Sequence, residues 1–247
     1  MKKYIIMILA LFIAGCAGTE KTEEKPKLQT TINTLVDITD ARTLKLWPKL
    51  NPLLRLYRSN EFPGQACKFS LSAISDLKTN ATYQAFLPDA TETEKDNIHD
   101  DIQWRSRVIK KYYGDVRNTL ARFYEENDTS INRNHSEVWE TIARNLEALA
   151  KEPPGKKYLV IFSDLQELSL AGNAYRVFNA MPLEAIIKKL TETHRIPEGI
   201  TDIQVILVYQ PTDRADDLRF NNMVKLYNQM LGAKGAVVTS QATVDQY

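Results

Sequence analysis

Cysteine is nearly absent. Cys16 and Cys67 are the only two in 247 residues, too few for the disulfide framework of a small secreted scaffold. Histidine is as scarce, with three residues, and no HExxH, Cys-x-x-Cys, Walker or Gly-x-Ser-x-Gly motif occurs; the signatures of common zinc, nucleotide and serine-hydrolase sites are therefore missing. Nine glycines and ten prolines exclude collagen-like and low-complexity chains. Neither charge is in excess: 32 basic against 31 acidic residues leave +1, so no basic surplus points to nucleic acid and no such partner is expected. Lys110-Lys111-Tyr112-Tyr113 mixes bases with aromatics, but Tyr112 falls on an apolar helical face. No apolar run reaches the roughly 20 residues of a membrane-spanning helix. What remains is an ordinary globular composition, 43% hydrophobic and 26% charged, long enough for one α/β domain with a full core.

The N-terminus is the most specific stretch. Lys2 and Lys3 precede an apolar run over residues 4–14, which ends Ile13-Ala14-Gly15-Cys16. A basic start, a short apolar run and small residues form a secretory signal. With a cysteine directly after it, the pattern resembles the bacterial lipoprotein box. That resemblance implies a signal peptide over 1–15, diacylglycerol and palmitate-type acylation of Cys16, and a mature chain that starts there with a formal charge of −1. The bland alternative is an ordinary signal peptide with a chance cysteine. Residues 16–28 are charged and free of large apolar residues until Leu28, and read as a tether holding the domain off a membrane. Ala17 rather than Asp after the cysteine is similar to outer-membrane sorting in enterobacteria, which implies an outer-membrane anchor facing the periplasm or the cell surface.

Residues 29–247 then alternate strand and helix. Strands are expected at 30–37, 66–74 and 81–87, the last a hairpin-like edge. Cys67 falls in the second strand as a small buried hydrophobe. A helix is expected around Leu46, Leu50, Leu53, Leu54 and Tyr57. Another spans 92–126, where Gly114 could divide it in two. A third buries Val138, Ile142, Leu146 and Leu149 behind an N-cap at Asn134. Five consecutive apolar residues, 158–162, mark a central strand covered on both faces. A helix over 182–194, a strand over 203–209, a helix burying Leu218, Val224, Tyr227 and Leu231 and a last strand over 236–239 complete the pattern. Thr212 or Asp213 is placed to cap the last helix. The alternation predicts a doubly wound, mostly parallel sheet with helices on both faces, a Rossmann-like layout.

Oxygen-bearing residues close three of these segments. Asp37 and Thr39 follow the first strand, Ser136 precedes the third helix, and Asp164 ends the central strand. Ligands in such sheets gather at the carboxyl ends of the strands, and hard cations take carboxylate and hydroxyl oxygens with water. This order is similar to the von Willebrand factor A family and its metal-ion-dependent adhesion site. There an Asp-x-Ser-x-Ser motif ends the first strand, a Thr precedes a mid-chain helix and an Asp ends the central strand. Asp37 and Thr39 match the first two motif positions, Ser136 the mid-chain hydroxyl and Asp164 the last carboxylate. Ala41 takes the place of the second motif hydroxyl, and Leu165 stands where a Gly usually follows the Asp.

The resemblance implies Mg²⁺, or Mn²⁺ or Ca²⁺, held by Asp37, Thr39, Ser136 and Asp164, and a site that binds a partner protein rather than turning over a substrate. The expected function is an envelope lipoprotein, not an enzyme, that docks or scaffolds an envelope or surface protein through the carboxyl edge of its sheet. Two alternatives stand beside it. One is a Mg²⁺-dependent hydrolase or phosphotransferase using Asp37, although Thr39 sits where such enzymes carry a second Asp. The other is a structural lipoprotein whose metal site is vestigial. His99-Asp100-Asp101 reads as a solvated helix face, and His135 and His194 as a loop residue and a helix end.

Overall fold

A computed structural model describes residues 28–39, 65–76, 80–90, 101–127 and 135–242 apart from 175 and 177. Strands β1 (Gln29–Asp37), β2 (Ala66–Ile74), β3 (Thr82–Leu87), β4 (Lys157–Phe162), β7 (Gln204–Val208) and β8 (Val237–Gln241) form one six-stranded sheet. Its order is β3-β2-β1-β4-β7-β8. Every pairing is parallel except β2 with the edge strand β3. The chain steps outward from β1 in one direction and from β4 in the other. The strand order therefore reverses between β1 and β4, and in such sheets ligands gather at the carboxyl ends of the strands at that point. A small ribbon, β5 (Leu168–Ser169) with β6 (Gly172–Asn173), stands beyond the end of β4.

The strand residues alternate between two cores, as period-2 side chains must. Leu35, Leu159, Ile161, Val205 and Leu207 pack with α2 (Val138–Lys151), α3 (Leu183–Thr193) and α4 (Arg214–Gly232). Ile32, Val36, Val160, Phe162, Ile206 and Val208 belong to the opposite core, with Tyr112, Val116, Leu120 and Phe123 of α1 (Asp101–Glu126). Because β4 is central, Leu159, Val160 and Ile161 are fully buried in both directions, as the unbroken apolar run requires. The layout is the doubly wound α/β sheet that the alternation predicts.

Three local expectations need correction. α1 passes through Gly114 unbroken; the roughly 1 kcal/mol cost of a mid-helix glycine is outweighed by burial of Tyr112 and Val116 on either side. Leu218 is 57% exposed. It lies two residues before Phe220, about 200° around the helix, so the face defined by Phe220, Met223, Tyr227 and Met230 turns it outward. The N-cap position of α2 is Glu137, whose side chain makes no cap hydrogen bond, while Asn134 lies outside the described residues. Asp213 does cap α4, accepting from Asp216 N at 2.8 Å. The helix expected around residues 46–57 also lies outside the described residues.

At the amino edge, β1 is pinned where it enters the sheet. Gln29 N donates to Pro154 O at 2.9 Å and Thr31 N to Lys156 O at 2.8 Å. Gly155 makes this close approach possible: at φ +140° a Cβ there would lie 2.0 Å from the Gln29 carbonyl oxygen. Lys157 Nζ donates to Glu152 O at 2.8 Å, which satisfies a carbonyl at the end of α2.

Candidate functional site

The pairing of Val36 with Phe162 brings the next residues, Asp37 and Ser163, face to face at the carboxyl edge. Ser163 Oγ donates to Asp37 Oδ2 at 2.8 Å. Asp37 is 1% exposed, and its other oxygen, Oδ1, accepts from Thr39 N at 2.9 Å and Thr39 Oγ1 at 2.6 Å. These bonds close the turn that leaves β1. Both hydroxyls donate to the carboxylate; Ser163 Oγ in turn accepts from Leu165 N at 2.8 Å.

Asp164 follows Ser163 and is likewise buried. Its Oδ1 accepts from Gln166 N at 2.9 Å. Between them, Leu165 has φ +62°. This is the left-handed region, which costs an L-residue roughly 1–2 kcal/mol and which glycine adopts freely. Leu165 is fully buried in the core, and that burial offsets the strain.

Ser136 comes from a different direction. Its N–H donates to Leu168 O at 2.8 Å and its carbonyl accepts from Leu168 N at 3.2 Å, an antiparallel bridge to the β5–β6 ribbon. Next to it, Glu137 N donates to Ser75 O at 3.0 Å, tying the loop to the end of β2. Ser136 Oγ is buried and has no hydrogen-bond partner. The structure therefore joins Asp37 directly to Thr39, joins Asp37 to the Asp164 loop through Ser163, and joins Ser136 to that same loop through Leu168. Among the described residues no three His, Cys, Asp or Glu side chains group as metal ligands. Asp37 and Asp164 would offer a cation two carboxylates, and Thr39 and Ser136 two hydroxyls, donor types that suit Mg²⁺. The orphaned Ser136 hydroxyl fits that set. Asp40 and Ala41 lie outside the described residues.

Sequence reasoning saw Ser163 as an oxygen at the end of the central strand but not as a site residue, and missed a buried acidic pair. Glu167 is 1% exposed, and its Oε2 accepts from Trp139 N at 2.8 Å. It thus supplies from a distant loop the cap that α2 lacks locally. Burial pushes the Glu167 carboxyl up to about 7, against the bonds from Ser169 and Trp139 N and with the nearby Glu137 adding to the rise. Tyr227, fully buried beside it, is raised by burial and then by Glu167, and its hydroxyl has no partner. Glu137 is also buried, and pairs with His135 Nε2 at 2.9 Å. Only the shared carboxyl edge brings residues 137 and 167 together, so no local spacing could have revealed them. His194 pins α3 to α2: its ring bonds Glu147 at 3.0 Å and its carbonyl accepts from Trp139 Nε1 at 2.8 Å. His99 and Asp100 lie outside the described residues.

No family model matches the chain, and no curated protein does. Among solved structures, the chain is similar to the conserved hypothetical protein BatB from Bacteroides thetaiotaomicron. The identity is 13% and the TM-score 0.38, over 86% of this chain and 91% of that one, a likeness too distant to bear on the reading of the site.

Proposed function

We propose that the chain is an envelope lipoprotein, anchored in the outer membrane through acylated Cys16, that binds another protein at the carboxyl edge of its sheet. A divalent cation, Mg²⁺ or alternatively Mn²⁺ or Ca²⁺, is held there by Asp37, Thr39, Ser136 and Asp164. The observation that carries this reading is the Ser136 hydroxyl, buried beside the loop that follows Asp164 with no hydrogen-bond partner. A buried polar group left unmade costs roughly 1–3 kcal/mol, and a cation shell that takes up its lone pair removes that cost. The Thr39 hydroxyl, which donates to Asp37, supports the same assignment. When bound, the cation supplies an electrophilic position for a carboxylate of the partner. This chain's residues hold the site and keep its ligands fixed: Ser163 orients Asp37, and the Leu168 bridge orients the Ser136 loop. Asp37 already accepts three hydrogen bonds, which favours a ligating role over a nucleophilic one.

The test is capture from detergent-solubilised native envelope on the immobilised chain, in Mg²⁺ and in chelator. A protein retained in Mg²⁺, released by chelator and not retained by Asp37→Asn is the expected result. Retention that ignores both changes would remove the cation from the mechanism. Phosphoester hydrolysis abolished by Asp37→Asn would replace the binding module with an enzyme.

A further inference from the structure

We infer that two copies of the chain pair edge to edge through β8. The two strands run antiparallel about a two-fold axis at Thr239 and join the two six-stranded sheets into one.

Backbone direction sets the pairing. Among the described residues β8 has a neighbour on one side only, β7. Val237 N donates to Ile203 O at 3.0 Å, and Gln241 O accepts from Tyr209 N at 3.1 Å. Val237, Thr239 and Gln241 therefore turn their backbone groups to β7, and alternation turns the N–H and C=O of Val238 and Ser240 outward. A two-fold at Thr239 sets each Val238 against Ser240 of the other copy, so that four N–H groups meet four C=O groups.

Nothing in the strand opposes that approach. Natural edges are blunted by Lys, Pro, inward charges or a bulge. Residues 236–242 carry no charge and no Pro, and the β7–β8 register runs without a bulge. The other edge strand, β3, runs into Pro88 and Asp89. Val237, 53% exposed, comes to lie opposite Gln241 of the second copy, and Thr239 opposite Thr239, a favourable cross-strand pair.

The occupant is a second copy because the margin matches itself. Ala236 N donates to Leu231 O at 3.2 Å, which fixes the end of α4 against β8. Three strand residues on, about 10 Å, Thr239 is level with Val224, roughly seven helix residues back at 1.5 Å each. Val224 and Val238 are partly buried at this margin of the core. The exposed Asn221 and Asn228 share the Val224 face of α4 at spacings of three and four. The axis sets Val224 beside Val224, and Asn221 level with Asn228 of the second copy. Lys225 turns to the other side of α4, where it lines a cleft with Leu183 and Ile186 of α3. Charges stand beyond the strip: Asp217, bonded by Asn221 Nδ2 at 3.0 Å, at one end, and Asp202 with the Lys234–Glu198 ion pair at the other. The two-fold brings unlike ends together, so neither group meets its own copy. With the axis along a membrane normal both Gln29 entry points stand at one height, so the pairing does not conflict with anchoring and does not rest on it.

The experiment uses the full chain with Cys16→Ser, in detergent, so that an introduced cysteine is the only reactive thiol, Cys67 being buried. The Cα atoms of a non-hydrogen-bonded pair stand about 4.5 Å apart, within the roughly 4.4–6.8 Å span of a disulfide. The two copies of residue 237 would stand about 14 Å apart, four residues along the strand. Under mild oxidation Thr239→Cys is expected to give a disulfide-linked dimer in several-fold higher yield than Val237→Cys, and mixing Val237→Cys with Gln241→Cys to raise the yield again. Sedimentation equilibrium of the Cys16→Ser chain is expected to give twice the chain mass. The mass falls to one chain in Thr239→Lys, which opposes two ammonium groups across the axis, and in Val238→Pro, which lacks the outward N–H. Thr239→Lys alters an exposed side chain, and its melting curve is expected to match the parent's. A parent of single-chain mass, equal yields at 237 and 239, or a dimer that survives Thr239→Lys overturns the pairing.

Discussion

Val160→Asp is expected to abolish cooperative folding. Val160 is fully buried in β4, between β1 and β7, and packs in the core beneath α1. Among the described residues that core is apolar, and an uncompensated buried charge costs about 3–5 kcal/mol or more. That is comparable to the whole stability of a typical domain, roughly 5–15 kcal/mol. Urea titration followed by circular dichroism checks it: the wild type unfolds in one transition and the variant shows none. A soluble Val160→Asp variant with a wild-type transition would place β4 elsewhere than at the centre of the sheet.

The second large effect is on pH dependence. Glu167 ionises near pH 7 in the folded protein against 4.5 for the ordinary carboxyl. Below the unfolded value both states hold the proton, and the folded protein is at full strength. As pH rises from 4.5 toward and through 7, the unfolded chain releases the proton first and stability is lost. At about 1.4 kcal/mol per pKa unit the loss reaches roughly 3 kcal/mol above neutrality. Glu167→Gln keeps an oxygen that accepts from Trp139 N and removes the charge. The variant is expected to melt roughly 5–10 °C above the wild type at pH 8, at about 2–4 °C per kcal/mol for a domain of this size, and to show no advantage at pH 4. Calorimetry across that range decides it. A variant less stable than the wild type at pH 8 would mean that the ionised carboxylate is worth more to the α2 N-terminus than its burial costs.

The strand plan was readable because burial on two faces leaves an unmistakable apolar run at residues 158–162, and because residues 81–87 read as a hairpin-like edge. Capping was readable only where it is local. Asp213 and the Asp216 amide it caps are three residues apart, whereas α2 takes its cap from Glu167, 28 positions away. The site divides in the same way. Asp37 and Thr39 share one turn, and their hydrogen bonds follow from their spacing. Ser163 becomes a partner of Asp37 only through the register of β1 on β4, which no local pattern encodes. Leu165 is a further case. Its backbone takes the left-handed conformation usual for glycine, which a leucine in the sequence does not signal.

Calorimetric melting of the wild type and Asp37→Asn, in chelator and in saturating Mg²⁺, tests the central claim most directly. Asparagine at position 37 keeps an acceptor for Thr39 and removes the charge a cation needs. A ligand at 100 times its dissociation constant stabilises the native state by about 2.7 kcal/mol. At about 2–4 °C per kcal/mol, the wild type is expected to melt roughly 5–10 °C higher in Mg²⁺, and Asp37→Asn to melt at one temperature in both. Identical wild-type melting in chelator and in millimolar Mg²⁺, Mn²⁺ or Ca²⁺ would contradict a cation site at the carboxyl edge.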